Sequence, residues 1–176
     1  MWRVPTSTSL VQSCVLVDDA LTRVEYGRAA SSPGHQSLSV SRLMFEETLV
    51  RLKQAIAEED LWLIHEIDPQ ALLRRTGHGI HPTRQLLFFH PRFMTRLLTI
   101  DPNALIEVPL KLVVMEMPDG TVTVRHPRID VLLGRYDGLH DMANELASSC
   151  RRLVQTVVVE PTEVTHTSTL RSRYDP

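Results

Sequence analysis

Residues 109–117 and 121–126 are two alternating apolar runs that meet at Pro118-Asp119-Gly120, the clearest hairpin signal in the chain. A hairpin commits its strands to antiparallel pairing, which an all-helical core cannot satisfy. Elsewhere the hydrophobic period switches between two and about 3.6. Residues 37–45 alternate, a first strand with Leu38, Val40 and Leu43 expected inward. Phe45, Leu49, Leu52 and Ile56 then recur at helical spacing behind Glu46 and Glu47, acids suited to a first turn, which predicts a helix ending near Glu59. Residues 61–67 (LWLIHEI) and 83–89 (TRQLLFF) read as strands. Asp68-Pro69 and His90-Pro91 each read as an N-cap followed by proline at the first helical position. The first opens a short helix stopped at Gly77, and the second a helix running through Leu98. Residues 138–156 form a last helix with Leu139, Met142, Leu146, Cys150 and Leu153 down one face. The order β-α-β-α-β-α-β-β-α predicts an α+β single domain: a mainly antiparallel five-stranded sheet with helices packed on one face. No Gly-rich βα turn occurs, which excludes a dinucleotide fold.

The compact domain is expected at 37–158. Residues 1–36 form an N-terminal extension and linker, and 159–176 a polar Thr/Ser-rich tail. Ordering such segments costs about 1–2 kcal/mol of backbone entropy per residue. The apolar β-type runs there, 14–17 and 157–159, are therefore expected to dock as added strands. A second copy or another protein would be the acceptor.

Charge and composition exclude several classes. Lys+Arg of 19 against Asp+Glu of 21 gives a net charge of −2, with no basic excess for sequence-independent nucleic-acid binding. Only Lys53 and Lys111 are lysines. The bias to Arg favours planar, bidentate contacts, although codon usage in a GC-rich genome gives the same pattern. No stretch approaches the roughly 18 apolar residues of a membrane span, and the N-terminus carries no unbroken apolar run of a secretion signal. The expectation is a soluble cytoplasmic protein. Cys14 and Cys150, far apart, form no disulfide framework.

Several segments resemble one family. Residues 47–56 (ETLVRLKQAI) resemble its opening helix, a Thr-x-x-x-Leu-x-x-Ala-Ile type of run. Glu66-Ile67-Asp68, then Gly77, then residues 81–91 (HPTRQLLFFHP) resemble its central signature. Residues 108–114 (VPLKLVV) resemble its Leu-Pro-Leu-Lys strand, and Asp119-Gly120 its hairpin turn. In this order the segments are similar to the domain of unknown function 302 family, over about 40–156. The chain departs from the family pattern at Phe88-Phe89-His90-Pro91, where Phe-Gly-Asn-Pro is usual, and at His81, Pro69 and Val124. The resemblance implies a compact, often dimeric α+β domain and implies no established activity.

Histidine is the residue type that stands out: His65, His78, His81, His90, His126 and His140 lie inside the domain. His81 and His90 bracket a strand and stand roughly 30 Å apart, too far to share a metal within one subunit. A tight turn at Asp119-Gly120 would pair Val113 with His126. If the third and fourth strands are antiparallel, His90, Arg92, Arg96, Glu107, Lys111, His126 and Arg128 gather near one edge as a ligand or anion site. His90, beside the positive end of a helix dipole, reads three ways: a simple cap, an anion site with Arg92 and Arg96, or a metal ligand. Cys150 falls on an apolar helix face, and no nucleophile elbow, His-Glu-x-x-His or P-loop occurs. The favoured function is a non-enzymatic ligand-binding or protein-interaction module, a homodimer or an accessory subunit of an assembly. The alternative is a protein binding a transition metal or haem through His90 and His126.

Overall fold

The computed structural model describes residues 21–27 and 33–158. In chain order these form β1 (Thr22–Arg23), β2 (Gln36–Val40), α1 (Phe45–Glu58), β3 (Trp62–Ile67), α2 (Pro69–Arg74), β4 (His78–Gly79) and β5 (Thr83–Phe89). There follow α3 (Pro91–Ile100), a 3-10 turn (Pro102–Glu107), β6 (Leu110–Glu116), β7 (Val122–Pro127), α4 (Ile129–Leu133) and α5 (His140–Gln155). The main sheet has the order β2-β7-β6-β5-β3, with every neighbouring pair antiparallel. The expected α+β architecture is therefore the one present. α4 lay beyond the reach of periodicity because it is five residues long and has no side-chain cap. Its existence rests on burying Ile129 and Leu133.

The alternation in the strands fixes which face is the core. Leu86 and Phe88 of β5, Leu110, Leu112 and Val114 of β6, and Val122 and Val124 of β7 are buried in register with one another. Phe45, Leu49, Leu52 and Ile56 of α1 and Met142, Leu146, Cys150 and Leu153 of α5 complete the same core. The opposite face behaves otherwise. Leu38 and Val40 were expected inward, but they are 44% and 47% exposed. The register pairs them with Arg125 and Thr123, residues of β7 that alternate with the buried Val124, so both point to the uncovered side.

The hairpin sets a register one residue away from the expected one. The Gly120 N–H donates to the Met117 carbonyl at 2.9 Å, and the Met117 N–H to the Thr121 carbonyl at 2.8 Å. Gly120 has φ of 83°, the left-handed conformation that a glycine bulge after a type I turn requires. That bulge brings Met117 opposite Thr121 instead of Val122, so Val113 pairs with Arg125 and not with His126. A slip of one residue exchanges the faces of every side chain on β7.

The C-terminal run docks on its own chain. Val157 is fully buried, Ser41 and Val158 form an antiparallel bridge, and the Arg42 N–H donates to the Val157 carbonyl at 2.9 Å. Val159, the tail to 176 and the run at 14–17 lie outside the described residues. Part of the N-terminal extension also docks: β1 pairs in parallel with β4, and the His81 N–H donates to the Tyr26 hydroxyl at 3.1 Å.

α1 ends on Glu58, Glu59 and Asp60, acids at the negative end of a helix dipole, and each is met by a different arginine. Glu58 pairs with Arg51 at 2.9 Å, Glu59 with Arg152 of α5 at 2.6 Å, and Asp60 with Arg92 of α3. The Arg152 guanidinium holds the Glu59 carboxyl below its usual range. Its stabilising contribution is therefore present above the ordinary glutamate pKa, about 4.3, and is lost as pH falls through the lower folded value. Glu59→Gln is expected to destabilise by about 0.5 kcal/mol at neutral pH. Melting curves of both proteins should converge in strong acid; a gap that persists there would mean the ion pair is not the cause.

Candidate functional site

β5 and β6 run antiparallel, the condition on which the sequence-derived site depended, yet its seven residues do not gather. Phe88 stands opposite Leu110 and Val113 opposite Arg125. Strand rise and spacing then set His90 and His126 roughly 16 Å apart, too far for one ion within a subunit. Among the described residues no group of three or more His, Cys, Asp or Glu converges as metal ligands.

The two imidazoles also differ in chemistry. His90 caps α3: its Nδ1 accepts from the Arg92 N–H at 3.0 Å, so Nε2 carries the proton in the neutral ring. Its ring meets Trp62 edge-on at 5.1 Å. The His126 Nδ1 lies 2.9 Å from the Pro127 carbonyl and donates to it, which leaves Nε2 as the acceptor in the neutral ring.

The arginines of the expected anion site are engaged within the chain. Arg92 pairs with Asp60 and lies 4.7 Å over the Phe93 ring, and Arg96 donates to Glu145 at 2.7 Å. At the start of α3 the Arg92 N–H is taken by His90 Nδ1 and the Phe93 and Met94 N–H groups by the His90 carbonyl. That helix start therefore has no free donor of the kind an anion would use. Glu107 accepts from the Tyr136 hydroxyl at 3.0 Å, and Arg128 donates to Asp130 at 2.8 Å. On the helix side of His126, a hollow of about 210 Å3 reaches Arg128, Asp130 and Cys150. Burial pushes the Cys150 thiol up to about 12, so it stays protonated and inert.

What the structure does assemble is a cationic hollow on the uncovered face of the sheet. About 270 Å3 in volume, it is lined by His35, Gln36, Lys111, Val113, Arg125, His126 and Pro127. Lys111 is opposite Leu87 on β5, and Arg125 is opposite Val113 on β6, so the two cations sit diagonally on one face. Among the described residues neither has a carboxylate in ion-pairing range, and none of the lining residues is acidic. His35 is held in place by its carbonyl, which accepts from the Arg128 N–H at 2.8 Å. Lys111 and His126 belong to the expected site; His35 and Arg125 were missed. His35 lies in what reads as a linker. Arg125 would have been found by counting Gly120 as a bulge residue, which turns Arg125 onto the face of Lys111.

Comparison with solved structures finds a similar fold. The crystal structure of an uncharacterized conserved protein DUF302 from Bacillus stearothermophilus matches with a TM-score of 0.66 and 19% identity, covering 71% of this chain and 99% of that one. No curated protein matches the chain. The sequence model of the domain of unknown function DUF302 matches residues 36–157, from the first residue of β2 to the buried Val157. With that match spanning the whole sheet and its helices, the chain belongs to the DUF302 family.

Proposed function

We propose that the chain is a non-enzymatic ligand-binding module whose site is the cationic hollow on the open sheet face, and that its ligand is an anion. The observation that carries this reading is the pair Lys111 and Arg125, two cations diagonal to one another on one sheet face and without acid partners among the described residues. Like charges so placed repel in the empty site, and an anion between them removes that repulsion. Cys150, the cysteine within the described residues, is buried and protonated, which supports a role without nucleophilic catalysis. Half-exposed Leu38 and Val40 on the same face support action as a homodimer or as an accessory subunit.

Titration with inorganic phosphate and with acetate, followed by NMR, tests the reading. Shifts are expected at His35, Lys111, Arg125 and His126, weakening as salt is raised. An absence of shifts at these residues with either anion would overturn it. Light scattering on the same samples reports whether the open face also joins two copies.

A further inference from the structure

We propose that the anion is a free fatty carboxylate, its head on Lys111 and Arg125 and its chain in a second, apolar hollow on the same sheet face; this deepens the anion-binding reading and rests on it. The second hollow measures about 300 Å3 and is lined by Ile64, Phe89, Pro91, Met94, Leu98 and Pro109, with His90 and Thr95 as its polar members. Sheet register connects it to the first. Phe88 pairs with Leu110, so Phe89 stands opposite Pro109 and shares the face of Leu87 and Lys111. Along β6 and the residue before it, Pro109, Lys111 and Val113 therefore alternate onto the uncovered side, with Pro109 lining one hollow and Val113 the other. Four residues of strand place these two roughly 13 Å apart. Leu87, half-buried on β5, lies opposite Lys111 beside that path.

The two ends differ in kind. One offers cations that have no acid partner among the described residues; the other offers aliphatic and proline surface that water solvates poorly, with Ile64 53% and Leu98 43% exposed. The Thr95 hydroxyl donates to the Pro91 carbonyl, and the His90 Nδ1 is taken by Arg92, so apart from the His90 Nε2–H the apolar end holds little that would reward a charged group. An anion without a chain would leave this end empty, and an uncharged chain would leave the cations unpaired. A linear carboxylate satisfies both. Hollows of this size suit one chain rather than the surface of a bilayer.

The test is calorimetric titration of the full chain with decanoate, acetate, decanol and phosphatidylglycerol vesicles. Decanoate is expected to bind at least about tenfold more tightly than either acetate or decanol. Arg125→Glu and Leu98→Asp should each weaken decanoate about tenfold, while Leu98→Asp leaves acetate unchanged. Thr95→Arg, which fills the hollow from an exposed position on α3, guards against misfolding of the Leu98 variant and should act in the same way. Decanoate binding that ignores both Leu98→Asp and Thr95→Arg would overturn the chain site and leave the anion hollow standing. Equal binding of decanol, or binding of vesicles alone, would also overturn the fatty carboxylate. No binding of any anion would remove the cationic hollow as a ligand site altogether.

Discussion

Replacing Phe88 by Ala is expected to lower unfolding free energy by about 3–5 kcal/mol, a large part of the stability of a domain this size. Phe88 is fully buried on β5, opposite Leu110 and beside Leu86, on the face that α1 and α5 cover. Truncation removes the transfer free energy of the ring and leaves a cavity that a sheet pinned by neighbours on both sides cannot close. The control is Val113→Ala, on β6 but on the uncovered face, where half-exposure predicts a change within about 0.5 kcal/mol. Urea unfolding of the two variants measures the contrast. Similar losses for both would mean that the open face is packed as tightly as the core.

Arg125→Glu is expected to weaken anion binding at least about tenfold while leaving the melting temperature nearly unchanged. A hydrogen bond to an ionised group contributes about 1.5–3 kcal/mol, and tenfold corresponds to about 1.4 kcal/mol. Reversal also sets a carboxylate diagonal to Lys111, where the new pair competes with the ligand. Lys111→Glu should act alike, and the double variant should lose binding altogether. Stability should barely move, because Arg125 is half-exposed and has no ion pair in the fold among the described residues. Phosphate titrations at two salt concentrations, with parallel melts, provide the measurement. Retained affinity in Arg125→Glu would exclude this hollow as the anion site.

Local chemistry was legible in the sequence. Asp68-Pro69 and His90-Pro91 cap α2 and α3 as their composition demands: Asp68 accepts from the Ala71 N–H and His90 from the Arg92 N–H. The spacing of Phe45, Leu49, Leu52 and Ile56 gave the buried stripe of α1, and Pro118-Asp119-Gly120 gave the hairpin. These signals act within a few residues, where propensity and period suffice. Asp101-Pro102 repeats the cap-then-proline pattern and opens the 3-10 turn, with the Asp101 carboxylate accepting from the Asn103 N–H.

Facing and convergence were a different matter. Leu38 and Val40 alternate as a buried strand does, and nothing local states that β2 lies at an edge with those side chains on the uncovered side. The bulge at Gly120 shifted β7 by one residue, and because strand side chains alternate, that slip exchanged the faces of Arg125 and His126 and set Arg125 on the face of Lys111. Arg92, Arg96 and Arg128 looked available to a ligand until the fold brought Asp60, Glu145 and Asp130 to them. The sequence alone determined the elements, their caps and the α+β class, because these follow from neighbours along the chain. Only the tertiary structure decided which arginines find carboxylates within the fold and which hollows share a face, because both depend on strand register and on groups distant in sequence.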